Sequence, residues 1–322
     1  MSHFKDKRIV VTGAGGSIGS KLCEQLVNDG VAELTLLSLT ESGLYNVTRK
    51  LRALKSKTEL VPVLGSITNS GLVAEVLADR DIVIHAAAHK HVPICEDNPV
   101  EAVSNNVFGT QTLLRCAVDA GVQQFLQIST DKAVRPASIM GATKRVCELL
   151  VMKAAKSCPD IDFSVVRFGN VADSAGSVLP LWREQLSRGE LLTVTDRRCT
   201  RYFMSIPDAC ELVLEVLKMQ RTGLFVFDMG EPKNLYDMAC EMVMRVGGDP
   251  SDWIKLIGLR PGEKLTEELD YGGLRCPTEH LKIFEVVEGE PPPGLHHLHD
   301  LEQYVKTRME SRVVDTLMEM VQ

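Results

Sequence analysis

The fold of this chain is decided by Arg8-Ile9-Val10-Val11-Thr12-Gly13-Ala14-Gly15-Gly16-Ser17-Ile18-Gly19. The first five residues are apolar and β-branched apart from Arg8, which predicts a short buried strand. Glycines follow the strand, and an apolar stripe of Ile18, Leu22 and Leu26 then predicts a helix. Glycines allow a tight turn and a close approach to phosphate, and the free N–H groups of a helix start attract negative charge. The stretch therefore predicts a site for a dinucleotide pyrophosphate.

Further strands and helices alternate along the chain. We predict strands at 34–37, 60–64, 81–85, 124–129, 163–168 and 225–227, and helices at 44–54, 100–120, 143–156, 235–246 and 300–321. This alternation predicts an α/β fold with a doubly wound parallel sheet. From about residue 176 the alternation loosens, and a Pro-rich break lies at 288–294. We expect a dinucleotide-binding domain at 1–175, with a returning segment at about 206–246, and a smaller C-terminal substrate lobe, mainly 176–322.

Composition narrows the class of protein. The 322 residues are 44% hydrophobic, and 36 Lys and Arg against 43 Asp and Glu give a net charge of −7. An acidic chain without a basic patch argues against a nucleic-acid partner. The nine Cys are scattered without a Cys-x-x-Cys pair, which favours free thiols in the cytoplasm. No apolar segment follows Met1 and no run is long enough to cross a membrane, so we expect neither a signal peptide nor a membrane span.

The glycine spacing resembles that of the extended short-chain dehydrogenase/reductase superfamily. In such folds an acidic residue usually ends the second strand and binds the adenosine ribose. Ser38 stands there, Glu41 is a possible substitute, and Ser66 stands where an Asp often faces adenine. The cofactor is therefore NAD or NADP, with the choice open. The residues predicted to bind it are Gly13, Gly16, Ser17, Ile18, Gly19, Ser38, Ser66, Ile67, Ala86, Ala87, Ala88 and Lys144.

The catalytic Tyr expected in this superfamily is missing. A Tyr four residues before a Lys lies on the same helix face, and the ammonium lowers the pKa of the phenol so that it acts as a base. Here Met140 precedes Lys144, and a thioether has no ionisable proton. Either the site is inactive, or Asp131 and Lys132 carry different chemistry. Met140 also suits simple core packing.

Several longer motifs identify a narrower family. Together they resemble the UDP-N-acetylglucosamine 4,6-dehydratases of the polysaccharide-biosynthesis (CapD-like) family, over about residues 7–285. Many members add a membrane region and a second Rossmann-type domain, so the chain resembles the short soluble form. Members with Met at this position retain the configuration at C5 of the sugar. The motifs are His85-Ala86-Ala87-Ala88-His89-Lys90, Asn105-Asn106-Val107-Phe108-Gly109-Thr110, Ser129-Thr130-Asp131-Lys132, Met140-Gly141-Ala142-Thr143-Lys144, Arg167-Phe168-Gly169-Asn170, Thr200-Arg201-Tyr202-Phe203 and Arg260-Pro261-Gly262-Glu263-Lys264.

The resemblance implies a defined reaction. C4 is oxidised, water is lost across C5 and C6, and hydride returns to C6, so that a tightly bound cofactor is regenerated in each turnover. Asp131 and Lys132 fit the acid and the base, which requires a protonated Asp131 and a neutral Lys132; burial favours both forms. Thr130 is placed to bind the C4 hydroxyl, and Lys144 the nicotinamide ribose. For the C4 proton, a water beside Met140 and Asp131 itself are alternatives.

Other residues are assigned to the UDP-sugar. Arg201 and Arg260 are the candidate pyrophosphate clamps, since guanidinium binds phosphate bidentately, and Asn170 and Lys90 are candidate sugar contacts. Arg183 is a weaker candidate. We expect no metal site, because the His residues lack carboxylate or Cys partners at ligand spacing. Apolar stripes on the helices at about 100–120 and 143–156 favour a homodimer, with burial inside the monomer as the alternative.

Two other functions compete with the dehydratase. A nucleotide-sugar C4 epimerase needs only oxidation and reduction at C4 and has no use for the Asp131-Lys132 pair. A non-catalytic dinucleotide-binding regulator would explain the missing Tyr, but it would not need Thr130, Asp131, Lys132 and Lys144 together.

Overall fold

The chain folds around one large sheet. A computed structural model describes residues 3–289 and 293–322. The nine-stranded sheet has the order β14-β15-β11-β6-β5-β4-β1-β2-β3. Its strands are β1 (Arg8–Thr12), β2 (Glu33–Ser38), β3 (Glu59–Leu64), β4 (Ile82–His85), β5 (Gln124–Ile128), β6 (Asp162–Arg167), β11 (Gly223–Phe227), β14 (Leu274–Pro277) and β15 (Ile283–Val287). Six short strands pair outside it: β7 (Asn170–Val171), β8 (Leu192–Val194), β9 (Thr200–Arg201), β10 (Phe203–Met204), β12 (Lys233–Asn234) and β13 (Ile254–Leu256).

The sheet is parallel from β3 to β11, and β15 joins β11 antiparallel. Strand order reverses between β1 and β4, which pair directly, with Thr12 opposite His85. In open parallel sheets, ligands bind at the carboxyl ends of the strands beside such a reversal. The predicted α/β fold is confirmed, and it brings the ends of β1, β4 and β5 to one edge.

Thirteen α-helices are described. They are α1 (Ser17–Asn28), α2 (Glu41–Ala53), α3 (Ser70–Leu77), α4 (Val92–Asp97), α5 (Pro99–Val103), α6 (Gly109–Ala120), α7 (Ile139–Ser157), α8 (Val178–Ser187), α9 (Ile206–Lys218), α10 (Leu235–Arg245), α11 (Pro250–Trp253), α12 (Leu298–Lys306) and α13 (Glu310–Glu319). The apolar stripe of α1 is buried against the sheet, as the spacing of Leu22 and Leu26 requires.

Two predicted helices are interrupted. The helix expected at 100–120 consists of α5, a π-helical turn at Ser104–Phe108, and α6. The π turn inserts a residue without ending the apolar pattern, so periodicity does not reveal it. The helix expected at 300–321 is two helices, α12 and α13, separated at Arg308, whose φ is +55°. The predicted break at 288–294 lies in part outside the described residues.

Two hydrophobic cores are present. The large one surrounds the main sheet and includes residues of α9, β15 and α13. The small one is built on Trp182, Leu192, Val194 and Leu235, from α8, β8 and α10. Thus α10, which lies in the predicted returning segment at about 206–246, packs in the small core, while β14, β15 and α13 pack with the sheet. The predicted domain limits stay a prediction.

The apolar stripes used to predict a dimer are largely covered within the chain. Val103, Val107, Leu114 and Val146 are buried in the single chain, and α13 packs against α5 and α7. Burial inside the monomer, the stated alternative, therefore accounts for most of these stripes, and the homodimer stays a prediction.

Two further properties bear on the expected environment. All nine cysteines are free thiols, six of them buried. Across residues 3–289 and 293–322, no helix has the length and apolar character needed to cross a membrane.

Candidate active site

The glycine loop forms a tight cradle between β1 and α1. Gly13 has a φ of +68°, and a Cβ on it would lie 2.7 Å from the Ala87 nitrogen. A Cβ on Gly19 would lie 2.2 Å from the Gly13 carbonyl oxygen. Side chains at these positions would push β4 or α1 away, so the glycines bring three backbones together beside the start of α1. This cradle fits a pyrophosphate held at a helix N-terminus.

The residues predicted at the adenosine end lie at or just after the ends of β2 and β3. Ser38 is buried at the end of β2, and its Oγ lies 2.9 Å from the position of a Cβ on Gly15. Ser66 Oγ lies 2.8 Å from Thr68 Oγ1, next to the buried Ile67. Glu41 is exposed at the start of α2. The structure thus brings Ser38 to the glycine loop, as expected of a residue that contacts the adenosine.

Ala86, Ala87 and Ala88 follow β4 and face the glycine loop. The Ala86 and Ala87 N–H groups donate to the Thr12 carbonyl oxygen and to Thr12 Oγ1, at 3.2 and 3.3 Å. His85 is buried beside them between the hydroxyls of Thr12 and Thr110. Burial lowers the pKa of His85 to about 3, so it is neutral. Small side chains after β4 therefore leave the cradle open.

Two predicted residues meet at the loop between β7 and α8. The Ala175 N–H donates to Ser17 Oγ at 3.1 Å, and Lys90 Nζ donates to the Ala175 carbonyl oxygen at 2.8 Å. A Cβ on Gly176 would lie 2.4 Å from the His91 ring. This loop therefore links the start of α1 to the segment after β4, and the Lys90 ammonium is hydrogen-bonded to the loop.

The predicted catalytic residues Thr130, Asp131 and Lys132 follow β5, and we call this segment the catalytic turn after that prediction. Thr130 caps a 3-10 turn at Asp131–Ala133 and donates its hydroxyl proton to Asp131 Oδ1 at 2.8 Å. Lys132 Nζ donates to Asp131 Oδ1 at 2.9 Å and to Asn170 Oδ1 at 3.2 Å. Asp131 is fully buried, and its Oδ2 has no hydrogen-bond partner among the described residues. Thr130, Asp131, Lys132 and Asn170 are thus brought together as predicted.

The protonation of Lys132 differs from the expectation. Burial by itself lowers the pKa of Lys132, but the carboxylates of Asp131 and Glu267 outweigh it and raise that pKa above its usual value. Asp131 Oδ1 accepts two hydrogen bonds, one of them from Lys132 in an ion pair of 2.9 Å. Lys132 must therefore lose a proton before it can act as a base.

Helix α7 presses against the turn. A Cβ on Gly141 would lie 2.3 Å from the Lys132 carbonyl oxygen, so only glycine permits this approach. Met140 is buried in the main core. Lys144 Nζ donates to the Ile128 carbonyl oxygen at 2.6 Å, and burial lowers its pKa. Met140 thus packs as a core residue, while Lys144 binds the end of β5 next to the catalytic turn.

A cavity of about 230 Å³ opens beside Lys132, and we call it the central cavity. Asn170, Arg201 and Arg260 also line it, which brings three of the four predicted substrate residues together. Arg201 is buried and donates to the carbonyl oxygens of Thr200, Lys264 and Leu265. The side chain of Arg260 is exposed and has no ion pair with any described residue. Of the two predicted phosphate clamps, Arg260 therefore has the freer guanidinium, while Arg201 also supports the cavity wall.

A larger cavity lies elsewhere. It measures about 700 Å³ and runs between α8 and α10, with Arg183 in its wall. Arg183 pairs with Asp173 and is exposed. We place the chemistry at the smaller central cavity, because Lys132 and Asn170 line that one.

Sequence reasoning missed a buried charged cluster behind the catalytic turn. Glu148 on α7 accepts from Ser129 Oγ at 2.5 Å and from Arg167 Nε and Nη2 at 2.7 and 2.5 Å. Arg145 and Glu288 complete the cluster. Ser129 precedes Thr130 and Arg167 ends β6, so Glu148 holds the two segments that carry Asp131 and Asn170. Its spacing of four residues from Lys144 was the available signal.

Glu267 was also missed. It is buried in the wall of the central cavity, and its Oε1 lies 3.7 Å from Lys132 Nζ. Its Oε2 has no hydrogen-bond partner among residues 3–289 and 293–322. Burial and the nearby Asp131 raise the pKa of Glu267. Its place three residues after Lys264 of the Arg260–Lys264 motif was the only sequence signal.

His89, after β4, lies beside a carboxylate. His89 Nε2 lies 3.2 Å from Glu101 Oε1 at the surface. Within the described part of the chain, no three His, Cys, Asp or Glu side chains are grouped to hold a metal ion.

Known proteins share this fold. The structure superposes on Pen from Bacillus thuringiensis with a TM-score of 0.78 and 33% identity, covering 84% of this chain and 85% of that one. It superposes on DesIV, a dTDP-glucose 4,6-dehydratase from Streptomyces venezuelae with NAD and TYD bound, with a TM-score of 0.73 and 26% identity, covering 82% of this chain and 88% of that one.

Sequence relatives narrow the class. The chain is 42% identical to the capsular polysaccharide biosynthesis protein CapD of Staphylococcus aureus, over 83% of this chain and 45% of CapD. It is 37% identical to the probable polysaccharide biosynthesis protein EpsC of Bacillus subtilis, over 97% of this chain and 53% of EpsC. The chain thus spans about half the length of these two relatives. A UDP-glucose 4-epimerase of Rickettsia akari is 33% identical, over 83% of this chain and 78% of the epimerase.

A family model described as polysaccharide biosynthesis protein matches residues 9–288. That match covers the glycine cradle, the catalytic turn and the central cavity. The chain therefore belongs to the polysaccharide biosynthesis protein family.

Proposed function

We propose that this chain is a nucleotide-sugar 4,6-dehydratase that acts on UDP-N-acetylglucosamine and retains the configuration at C5. The observation that carries the proposal is the Thr130-Asp131-Lys132 turn, whose Lys132 lines the central cavity and whose Asp131 has a buried Oδ2 without a hydrogen-bond partner in the described part of the chain. An epimerase needs only the group that removes and returns the C4 proton. Loss of water also requires a base at C5 and an acid at C6, which Lys132 and Asp131 would supply.

Gly13, Gly16, Ser17 and Gly19 would hold the pyrophosphate of NAD or NADP, and Lys144 would hold the nicotinamide ribose. The bound nicotinamide would accept hydride from C4 and return it to C6, so no external oxidant is consumed. Ser17 and Lys90 hold the loop at Ala175, which closes over the start of α1 and favours a tightly bound cofactor.

The Thr130–Asp131 hydrogen bond supplies a base for the C4 hydroxyl. Because Thr130 donates its own proton to Asp131 Oδ1, its oxygen is free to accept the C4 proton. The proton then passes through Thr130 to Asp131, and no phenolate is needed. Asp131, now protonated, donates to the C6 hydroxyl as water leaves. The proton removed from the C4 hydroxyl is thus the proton that Asp131 donates at C6, and Asp131 is again a carboxylate at the end of the turnover.

Lys132 is the proposed base at C5. As a neutral amine it removes the C5 proton, and as an ammonium it returns that proton to the same face after hydride reaches C6. One group acting from one side accounts for retention at C5. Arg260 would bind the pyrophosphate at the exposed rim, and Asn170 would orient both Lys132 and the sugar.

One experiment tests the function. We expect UDP-N-acetylglucosamine, incubated with the chain in deuterated water, to give a 4-keto-6-deoxy product with deuterium at C5 and unchanged C5 stereochemistry by NMR. Formation of UDP-N-acetylgalactosamine would establish the epimerase instead, which the Rickettsia relative favours. Absence of turnover with either NAD or NADP would favour a regulator.

The assembly and location follow as predictions. We propose a homodimer in the cytoplasm, with light scattering on the purified chain as the test of its mass.

A further inference from the structure

Glu267 is a buried carboxylate that lies within ion-pair distance of three cations but accepts a hydrogen bond from none of them. Its oxygens lie 3.7 Å from Lys132 Nζ, 3.7 Å from Lys264 Nζ and 4.0 Å from Arg201 Nε. Each of these distances exceeds a hydrogen bond. The side chain is nonetheless 3% exposed and lines the central cavity. A buried polar group without a hydrogen bond calls for an explanation, and a catalytic role is one such explanation.

Lys132 has one N–H more than its hydrogen bonds use. An ammonium has three N–H donors. Asp131 and Asn170 accept two of them, at 2.9 and 3.2 Å. The third has no hydrogen-bond acceptor among the described residues, and Glu267 Oε1, 3.7 Å from the nitrogen, is the second carboxylate beside it. Glu267 is therefore the carboxylate that could take this proton after a small approach.

This proton is the one that the reaction leaves unplaced. In the proposed function, on which this inference rests, the C4 proton travels to Asp131 and then to the C6 hydroxyl. The C5 proton travels to Lys132 and back. Lys132 acts as an amine only if its third proton sits elsewhere meanwhile, and Asp131 is already in use. We propose that Glu267 takes this proton from Lys132 when substrate fills the central cavity, and holds it through the turnover.

The transfer is balanced within the pair. The N–H bond of Lys132 breaks, an O–H bond forms on Glu267, and an ion pair becomes a neutral pair. Displacement of water from the cavity penalises the charged forms and favours this change. Lys264 and Arg201 oppose it, since they stabilise the carboxylate. Arg201 also faces Glu263 at 3.6 Å, and Lys264 donates to the Val134 carbonyl oxygen, so both have other partners.

The test uses Glu267→Gln, which keeps the shape but cannot take a proton from an ammonium. Glu268→Gln is the matched control, because Glu268 is half exposed and pairs with Arg135 at the surface. Two quantities are measured against pH: kcat for the dehydrated product, and the rate at which an amine-reactive reagent labels Lys132 in the protein without substrate, followed by mass spectrometry. Thermal unfolding checks that each variant folds.

For Glu267→Gln we expect kcat at neutral pH to fall about 100-fold, as for loss of a positioned acid–base group, and to recover at alkaline pH where hydroxide removes the proton. Labelling of Lys132 should begin at lower pH, because a counter-charge is gone. Labelling that shifts while kcat stays unchanged would make Glu267 a counter-ion only and overturn the proposal. An equal loss of kcat at every pH would make its role structural and overturn it as well.

Two further outcomes are separated. If Glu267→Gln does not fold, the proposal is tested with Glu267→Asp, which keeps a carboxylate able to accept the proton. We then expect measurable dehydration with a pH profile like that of the unaltered chain. Loss of the dehydration rate at neutral pH would refute the proposal. If the unaltered chain yields no dehydrated product, the proposed function fails. If it does and the variant behaves identically, only the role of Glu267 fails.

Discussion

Replacing Thr130 by Val tests how the chain removes the C4 proton without a Tyr. Val keeps the shape of Thr but has no hydroxyl, so it deletes the 2.8 Å hydrogen bond to Asp131 Oδ1 and the weaker 3.4 Å cap to the Lys132 N–H. A hydrogen bond to a charged group contributes about 1.5–3 kcal/mol. Asp131 keeps Lys132 as a partner and Thr130 is only half buried. We therefore expect the free energy of unfolding to fall by about 1–2 kcal/mol.

The effect on the reaction should be much larger than the effect on stability. Loss of the relay removes one acid–base group, which predicts a fall in kcat of about 10²- to 10⁴-fold. C4 oxidation should then limit the rate, so a substrate deuterated at C4 should show a larger isotope effect than with the unaltered chain. Thr130→Ser restores the hydroxyl and should restore most of the rate. The relay is refuted if Thr130→Val retains kcat within threefold, or if Thr130→Ser is as slow as Thr130→Val.

The remaining predictions concern the base, the buried cluster and acid stability. Lys132→Ala should abolish loss of water but leave the dinucleotide affinity, measured by calorimetry, within about twofold. Lys153→Ala, at an exposed lysine, is the control. Dehydration by Lys132→Ala would disprove the assignment of Lys132 as the base. Glu148→Gln should lower the free energy of unfolding, measured with urea, by about 3 kcal/mol, because it leaves the buried Arg167 without its main carboxylate partner. Glu288→Gln, at the edge of the cluster, should lower it by less. Equal losses for the two variants would contradict this ranking. Burial lowers the pKa of His85 from 6.5 to about 3 in the folded chain. The stabilisation from keeping His85 neutral is therefore complete above pH 6.5 and is lost as pH falls toward 3. The free energy of unfolding should fall there by about 1.4 kcal/mol per pH unit. Unfolding near pH 5 should therefore take up about one proton through His85, and a His85→Gln variant that folds should take up one fewer.

The first half of the fold could be predicted because each element carries its own signal. The β-branched run before Gly13 and the stripe of Leu22 and Leu26 are local patterns, and they reappear as β1 and α1. The π turn at Ser104–Phe108 has no such signal. Strand β14 is largely exposed, and in β15 the buried residues Ile283 and Val286 are three apart, so neither strand shows the alternation of apolar and polar residues that predicts a strand.

The catalytic turn could be predicted because its residues are adjacent in sequence. Asp131 and Lys132 are neighbours, and the end of β5 places them at the ligand edge of the sheet. Glu267 is 135 residues from Lys132 along the printed numbering, and only the folded chain brings it to the cavity. The protonation of Lys132 was predicted incorrectly because burial alone was considered, without this second carboxylate.

The charged cluster behind the turn has a consequence for how the chain can vary. Arg145, Glu148, Arg167 and Glu288 carry two positive and two negative charges, and each cation contacts both anions. A change at one position leaves a buried charge uncompensated, so a tolerated change requires a second change at another. The four positions should therefore be inherited together, kept as a set or replaced as a set, and a library randomising all four should yield functional chains mainly among charge-balanced combinations.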